Sequence, residues 1–481
     1  MSDELLDYLK VAGDRNWLKI EQNELKSTSE FCSQKLYLLV KAKLAQISIL
    51  SNQQNKIVIF IAEDDALNFI SAFLAGIIAK VNLFLCNPHW QQREWRQVLK
   101  LVQPDLIFGS DRVKSSLDLL RLNQERATAT KTETVGENAE SLIMIPTGGT
   151  SGKIKFAMHN WQTLSASVTG FQEFFGCSTI NSYCTLPLYH VSGLMQLMRS
   201  LLTQGDLIIC SYKSIRGQMD DTSSDYFISL VPTQLQYLLE TVPDCLKKFK
   251  TVLLGGAPAS QSVLARARKH QIAIATTYGM TETASGVVIL KPKDFLAGDS
   301  SNGEVLPHAE VLIDASDNLV ESNSVTTKTG LIKINCASLC QGYYPYLFPA
   351  AQPLITDDLG YFDERGYLYL RGRNSHKIIT GGVNVFPLEV EAAISATKLV
   401  RDVCIVGVAD PRWGEAVTAI YVPDSQYSLE SIKQQIETQI AKYKQPKNWI
   451  EVDRIPRNNR GKVNYQQLEA IAMQKLASRL E

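Results

Sequence analysis

The chain has 481 residues, which is too long for one ordinary hydrophobic core and predicts two or more domains. Hydrophobic residues make up 45% of it and charged residues 20%, a composition typical of soluble globular proteins. Basic and acidic side chains both number 49, so the formal net charge is zero. No overall field attracts nucleic acid or an anionic membrane surface, and we expect neither as a partner.

Cysteine usage and the start of the chain both favour the cytoplasm. The nine cysteines include no CxxC pair and no zinc-ligand spacing, a pattern typical of reduced thiols. The first residues, MSDELLDYLK, lack the basic segment and apolar core of a signal peptide. The apolar segment at 66–79 is too short to span a bilayer and predicts a buried helix, so we expect no membrane insertion.

In chain order, strand-like and helix-like segments alternate up to about residue 140 and again from 141 to about 290. This rhythm predicts doubly wound α/β layers. Shorter, turn-rich segments between about 303 and 371 predict small antiparallel strands. A compact tail with both strands and helices follows. We therefore expect two domains, at 1–372 and 373–481.

The run TGGTSGKIK at 147–155 follows an apolar segment that predicts a buried strand. Glycines let the backbone turn tightly and bring its N–H groups close to an anion, and the hydroxyls and lysines add donors and positive charge. The run therefore favours a polyphosphate-binding loop, although a flexible surface turn has a similar composition. The candidate loop residues are Thr147, Gly148, Gly149, Thr150, Ser151, Gly152, Lys153 and Lys155.

This loop is not a Walker A motif. Thr147 stands where that motif has its first glycine, and Ile154 stands where it has the magnesium-binding hydroxyl. The departure argues against nucleotide hydrolysis of the Ras-like or motor type.

Two further segments end predicted strands with residues suited to a nucleotide. In YGMTET, Glu282 follows a strand, where its carboxylate could hold magnesium on ATP phosphates, and Thr281 adds a hydroxyl. The alternative is a capped helix start with a first-turn acid. The residues Gly255, Gly256 and Ala257 end another strand and permit close approach to a flat group such as adenine. A plain strand-to-helix turn explains them equally well.

A histidine and an arginine follow the predicted strand SYCTLPL. His190 could form a wall of an acyl pocket, or could be a hydrogen-bonded structural residue at the strand end. Arg199, nine residues later, could supply a cation inside that pocket, or could be an exposed helix arginine.

Three charged residues near the boundary and the C-terminus are the last candidates. Asp358 could accept hydrogen bonds from both hydroxyls of a ribose, and Arg373 could steady it or bind phosphate. A surface salt bridge is the alternative. Lys462 lies in a tight turn marked by Asn-Asn and Gly, where a lysine is ordinarily solvated.

Taken in this order and spacing, from about Val58 to Leu468, these segments resemble the acyl-adenylate-forming superfamily of acyl-CoA synthetases, peptide-synthetase adenylation domains and luciferases. The resemblance implies an α/β fold. Its large N-terminal domain has two doubly wound αβαβα layers and a small β-barrel-like subdomain. A small, mobile α+β domain lies at the C-terminus.

The resemblance also implies roles for the nucleotide-binding segments. The family's phosphate loop falls on 147–155, where Gly148 replaces a serine, Ser151 a threonine and Ile154 a proline. Tyr278 falls on the residue that stacks on adenine, and Gly279 beside it borders nucleotide and acyl substrate.

Glu282 falls on the family's metal-binding glutamate and Asp358 on its ribose-binding acid. Before that acid, Asp357 replaces the usual glycine. Thr281 and His190 match positions close to the reacting groups.

For the second domain, the resemblance implies a hinge and a thiol tunnel. Arg373 opens the hinge, Ser375 occupies the hinge position that is often Asp or Lys, and His376 replaces a second Asp. Gly381 and Gly382 match the loop that lines the pantetheine tunnel.

The implied reaction joins a small carboxylic acid to coenzyme A, using ATP and Mg²⁺. The acid's carboxylate attacks the α-phosphorus of ATP, pyrophosphate leaves, and the thiol of coenzyme A then displaces AMP. Lys462 falls on the lysine that bridges carboxylate and α-phosphate. No side-chain nucleophile is required.

The compact length and the runs IPTGGTSGKIKFAMHN and LPLYHVSGLMQLMRS most resemble 2-succinylbenzoate–CoA ligases of menaquinone or phylloquinone synthesis. The resemblance places Arg199 at the substrate's second carboxylate. Three alternatives stay open: a ligase for another aryl or fatty acid, an adenylation enzyme that loads a separate carrier protein, and a silent acyl-nucleotide binding protein. A homo-oligomer is compatible with the sequence.

Overall fold

The computed structural model shows two large sheets with helices between them, a small antiparallel sheet, and a separate C-terminal sheet. The described residues are 2–22, 28–31, 33–51, 57–122, 141–148, 153–215, 224–314, 319–322, 325–349, 352–424, 426–437, 439–457 and 461–477. Four candidate loop residues, Gly149, Thr150, Ser151 and Gly152, lie outside them.

The helices within the described residues are α1 (Ser2–Ala12), α2 (Ser33–Ser51), α3 (Ala66–Ile78), α4 (Gln92–Leu101), α5 (Asp111–Leu122), α6 (Trp161–Phe175), α7 (Val191–Leu202), α8 (Pro232–Thr241), α9 (Pro243–Leu246), α10 (Gln261–Lys269), α11 (Pro292–Leu296), α12 (Pro387–Ala396), α13 (Leu429–Glu437) and α14 (Tyr465–Ala477). None of them is both long enough and apolar enough to cross a membrane.

The strands up to residue 289 are β1 (Leu18–Gln22), β2 (Thr28–Phe31), β3 (Val58–Ala62), β4 (Asn82–Leu85), β5 (Leu106–Gly109), β6 (Ile143–Gly148), β7 (Ile154–His159), β8 (Asn181–Cys184), β9 (Leu207–Ile209), β10 (Tyr226–Leu230), β11 (Thr251–Leu254), β12 (Ile274–Met280) and β13 (Ser285–Ile289). The later strands are β14 (Glu304–Val305), β15 (Ala309–Asp314), β16 (Leu319–Ser322), β17 (Val325–Lys328), β18 (Gly330–Cys336), β19 (Gly342–Tyr343), β20 (Tyr346–Leu347), β21 (Leu354–Phe362), β22 (Leu368–Arg373), β23 (Ile378–Thr380), β24 (Val383–Val385), β25 (Val400–Asp410), β26 (Gly414–Pro423) and β27 (Asn448–Glu451).

The first large sheet has seven strands in the order β20-β19-β7-β6-β4-β3-β5. Its strands β3 to β6 are parallel, whereas β7 folds back on β6 as an antiparallel hairpin. The run VIFIA of β3 is almost wholly buried, as expected for a parallel strand covered on both faces.

The second large sheet has nine strands in the order β14-β13-β12-β11-β10-β8-β9-β1-β2. The six strands from β12 to β1 in this order are mutually parallel. Their carboxyl ends therefore meet at one edge, and the segments that follow β8, β10, β11 and β12 are brought together there.

One continuous apolar core joins the two large sheets through α2, α3, α6 and α7. It includes Ile59 and Leu83 from the first sheet and Leu207 from the second. The helix α3 approaches β4 closely, since a Cβ built on Gly76 would lie 2.3 Å from a methyl of Leu83. This arrangement confirms the predicted α/β class, its two layers and the buried helix near 66–79.

The strands β15, β18, β21 and β22 form the small antiparallel sheet, and β16 and β17 form a hairpin beside it. The C-terminal domain is a five-stranded sheet of β23 to β27 with α12, α13 and α14. Its α12 also packs against α10 and β22 of the preceding part.

Candidate active site

A buried carboxylate marks the end of β12. Glu282 is 7% exposed and lies in the 3₁₀ turn Thr281–Thr283. The hydroxyl of Tyr343 donates a hydrogen bond to Glu282 Oε1 at 2.6 Å. Burial, and then the nearby Glu282 carboxylate, raise the pKa of Tyr343 above its usual range. Glu282 forms no ion pair with any basic side chain that the structure describes, and its role as a magnesium ligand stays a prediction.

The strand β7, which follows the candidate phosphate loop, reaches the same tyrosine. Thr147 on β6 pairs with Lys155 on β7, so the hairpin brings the two ends of the loop together. Lys155 Nζ lies 4.9 Å from the centre of the Tyr343 ring, and Lys153 is exposed. Tyr343 thus connects the lysine of the phosphate loop with the buried carboxylate.

The backbone after Glu282 is strained. Ala284 and Ser285 have φ values of 49° and 102°, a region that residues other than glycine rarely adopt. Ser167 Oγ donates to the Ala284 carbonyl at 2.7 Å, and Ser338 Oγ donates to the Thr283 carbonyl at 2.9 Å. Surrounding side chains therefore hold a turn that the local sequence alone would not favour.

A fully buried histidine holds the beginning of the same turn. His159 Nε2 lies 2.8 Å from the Thr281 carbonyl, which can only accept, so Nε2 carries the proton. Its Nδ1 lies 3.0 Å from Thr163 Oγ1 and accepts from that hydroxyl. Burial lowers the pKa of His159 to about 4, so the ring is neutral at pH 7. His159 is not among the residues predicted from the sequence, although a polar residue at the end of the apolar strand run FAMH was a usable signal.

The candidate ribose acid has two partners. The hydroxyl of Tyr278 donates to Asp358 Oδ2 at 3.0 Å, and Arg373 Nε lies 3.3 Å from Asp358 Oδ1. The register of β21 and β22 places Asp358 opposite Arg373. The Tyr278 ring packs within an apolar cluster and is 7% exposed, so its stacking on adenine stays a prediction.

Glycines at the strand ends allow close packing. A Cβ on Gly255 would lie 2.4 Å from Thr277 Oγ1, and one on Gly279 would lie 2.0 Å from the Ser285 carbonyl oxygen. Gly256 has a φ of 83° and is exposed, and the next residue, Ala257, is half-buried. These contacts explain the glycines structurally, and their nucleotide contacts stay predictions.

The candidate acyl-pocket residues lie on α7. His190 precedes its first residue, is half-buried and has its ring centre 4.5 Å from that of Tyr189. A Cβ on Gly193 would lie 2.2 Å from the Pro187 carbonyl oxygen, so this glycine lets α7 start directly against the strand end.

Arg199 is 5% exposed and is not the exposed helix arginine of the alternative interpretation. Its guanidinium carbon lies 4.1 Å from the centre of the Phe171 ring, and its Nη2 donates to Ser285 Oγ at 3.2 Å. Burial lowers the pKa of Arg199 to about 10, and burial together with the Arg199 charge lowers the pKa of His308 to about 4. No acidic side chain among the described residues pairs with Arg199, so this buried cation suits an anionic ligand.

The C-terminal domain brings Gly461, which immediately precedes Lys462, to the carboxyl edge of the nine-stranded sheet. A Cβ on Gly461 would lie 3.2 Å from a methyl of Thr233, which follows β10. Lys462 itself is exposed. Gly381 and Gly382, in contrast, are exposed at positive φ in the β23–β24 turn.

Two residues that depart from the family pattern, Asp357 and Ser375, form hydrogen bonds with each other. The backbone N–H of Ser375 donates to Asp357 Oδ1 at 3.1 Å, and its hydroxyl donates to Asp357 Oδ2. The ring of His376 lies 4.1 Å from that of Tyr465 on α14.

Comparison with known proteins matches residues 48–344 to the AMP-binding enzyme family and residues 389–462 to the AMP-binding enzyme C-terminal domain. The chain is 31% identical to a 2-succinylbenzoate–CoA ligase of Bacillus velezensis over 73% of this chain and 72% of that protein. It is 28% identical to a Listeria monocytogenes protein of the same name over 89% and 92% of the two chains. A structure of O-succinylbenzoate coenzyme A synthetase from Bacillus subtilis, in complex with ATP and magnesium ion, superposes with a TM-score of 0.75 at 25% identity, covering 94% of this chain and 96% of that one.

Acid should destabilise the protein through His159. Its pKa is about 4 in the folded protein and near 6.5 when exposed, so the unfolded chain binds more protons between these values. The free energy of unfolding should therefore fall by about 3 kcal/mol as the pH drops from 6.5 to 4, and this loss is absent above pH 6.5.

Urea unfolding at pH 7.5, 6.0 and 5.0 measures this loss in the wild type and in His159→Gln, whose amide can still donate to Thr281. The variant should depend less steeply on pH. Parallel profiles for the two proteins would contradict a buried neutral His159.

Proposed function

The chain belongs to the AMP-binding enzyme family, and on that premise we propose that it is a 2-succinylbenzoate–CoA ligase. In this proposal ATP activates one carboxylate of 2-succinylbenzoate as an acyl-AMP, with release of pyrophosphate. Coenzyme A then takes the acyl group, and AMP leaves. The product would serve menaquinone or phylloquinone synthesis in the cytoplasm, a location that agrees with the free thiol state of every described cysteine.

The observation that carries the substrate assignment is the buried Arg199 without an acidic partner. An acid with a single carboxylate would lose its charge on adenylation and leave the guanidinium uncompensated. A second carboxylate stays ionised and can pair with Arg199, which keeps its flat face on Phe171. An acid with a second carboxylate therefore suits the site beside Arg199 better than a fatty or simple aryl acid.

In the first half-reaction two anions, the carboxylate of the acid and the α-phosphate of ATP, must approach each other. Positioning and charge neutralisation therefore supply most of the rate acceleration. We assign Lys462 to bridge the attacking carboxylate and the α-phosphate, and Lys155 to the phosphate loop. Glu282, oriented by Tyr343, would hold a magnesium ion that neutralises charge on the leaving pyrophosphate. Asp358 and Arg373 would hold the ribose.

The second half-reaction requires a different surface of the C-terminal domain. We place the domain boundary between residues 372 and 373, with Ser375 as the hinge. The present domain arrangement suits adenylation. In it, Gly461 packs against Thr233, whereas Gly381 and Gly382 are exposed. Rotation about the hinge would withdraw Lys462 and present the glycine loop to coenzyme A.

Pyrophosphate release measured with a panel of acids, with and without coenzyme A, tests the proposal. The expected result is fastest release with 2-succinylbenzoate and thioester formation when coenzyme A is present. Faster turnover of a fatty or monocarboxylic aryl acid would overturn the substrate assignment. Adenylation without any thioester would indicate a carrier-loading enzyme.

Replacement of Arg199 should raise KM for the acid and leave KM for ATP unchanged. In Arg199→Ala, KM for 2-succinylbenzoate should rise roughly 30-fold or more, because truncating one partner of a buried charge pair costs about 2 kcal/mol or more. KM for ATP should be unchanged, and Arg199→Lys should be intermediate since it keeps charge but loses the planar stack. A monocarboxylic benzoate serves as the control substrate, because the variant should lose little with it. Equal losses with both acids would contradict the second-carboxylate role.

Replacement of Lys462 should separate the two half-reactions. In Lys462→Ala, pyrophosphate release should fall by about 100-fold or more, because a charge that stabilises the transition state is lost. Thioester formation from preformed acyl-AMP should be largely retained, since Lys462 is withdrawn in that step. Rapid-quench assays of each half-reaction measure the two rates, and an equal fall in both would refute the assignment.

A further inference from the structure

The turn that carries Lys462 is closed at its base by the backbone. Arg457 and Val463 form an antiparallel bridge, and the N–H of Asn464 donates to the Pro456 carbonyl at 2.9 Å. These contacts join the two arms of the turn. They do not by themselves orient Gly461, which immediately precedes the lysine.

The side chain of Arg457 supplies that orientation. Its Nη1 donates to the Gly461 carbonyl at 3.3 Å, while its Nη2 lies 3.1 Å and 3.0 Å from the two carboxylate oxygens of Asp402. Asp402 belongs to β25, which pairs with the central strand β26 of the C-terminal sheet. The two side chains are only 27% and 29% exposed, so this pair is better shielded from solvent than an ordinary surface ion pair.

The other side of Gly461 faces the large domain. Gly461 has a φ of 74° and packs on Thr233 at the start of α8, where no larger residue fits without displacement. The glycine is therefore held between the guanidinium of Arg457 and the helix start at the carboxyl edge of β10. Lys462 directly follows this glycine, so the position of its backbone depends on how Gly461 is held.

We propose that Arg457 is a positioning residue for Lys462, anchored by Asp402, and that it acts in the adenylation half-reaction. The proposal rests on the proposed function only in naming the step that Lys462 serves. The planar guanidinium has separate N–H groups for the carboxylate and for the carbonyl, which a lysine at this position could not engage in the same geometry. Without it, the Gly461 carbonyl loses the Arg457 donor, and the backbone that immediately precedes Lys462 is held less firmly.

The half-reactions of Arg457→Lys, Arg457→Gln and Asp402→Asn test this role. Pyrophosphate release should fall by about ten-fold, because small misplacements of a catalytic group cost rates of this order or more. Thioester formation from preformed acyl-AMP should stay at the wild-type rate. Glu430→Gln is the matched control, since Glu430 pairs with Lys433 on the surface of α13 and should change neither rate.

Hydrogen exchange provides a readout that does not depend on activity. The amide of Asn464, bonded to Pro456, should exchange faster in the Arg457 variants than in wild type, with the β25–β26 core unchanged. Equal loss in both half-reactions, or faster exchange throughout the domain, would show a general structural role and overturn the proposal. Full adenylation activity in the variants would overturn it as well.

The two proposals fail in different ways. If the wild-type protein adenylates no acid, the proposed function is wrong. The exchange of Asn464 in the Arg457 variants still decides whether the guanidinium holds the turn, and unchanged exchange would then refute the positioning role.

Discussion

The strained turn at 281–285 is the constraint on which the rest of the candidate site depends. On one side it carries Glu282, which Tyr343 orients, and on the other it carries Ser285, which accepts from Arg199. The proposed metal carboxylate and the proposed acyl-pocket cation are therefore set relative to each other by a few residues of backbone. A strained turn persists only where its surroundings hold it, and here buried side chains from α6 and β7 do so.

The site also places two unlike charges apart, and neither has an oppositely charged side chain as a partner among the described residues. Glu282 is a buried carboxylate at the proposed nucleotide side, and Arg199 is a buried guanidinium at the proposed acyl side. Burying either charge costs free energy unless a ligand compensates it. This asymmetry favours a nucleotide with its cation at one end of the site and a substrate that keeps an anionic group at the other.

In the proposed hinge region, two residues that depart from the family pattern contact each other. Asp357 and Ser375 each replace a usual residue, and the structure joins them through the backbone N–H and the hydroxyl of Ser375. Since Asp357 adjoins the proposed ribose acid Asp358, the proposed nucleotide contact and the contact to the proposed hinge residue share one short segment of β21. The sequence showed the two substitutions separately, and only their distance in space shows that they belong together.

The amino-acid sequence predicted the α/β class, the order of the motifs at the strand ends and the family, because strand runs and glycine-rich loops are local patterns. It also named Glu282, Arg199 and Lys462 as candidates. The folded structure was needed to show that Arg199 is buried without an acidic partner among the described residues, and that His159 and Tyr343 support the Glu282 turn. It was also needed to show that Arg457 contacts Gly461 and Asp402 together. These facts depend on contacts between residues far apart in the chain, and burial and hydrogen-bond partners of that kind leave no periodic signal in the sequence.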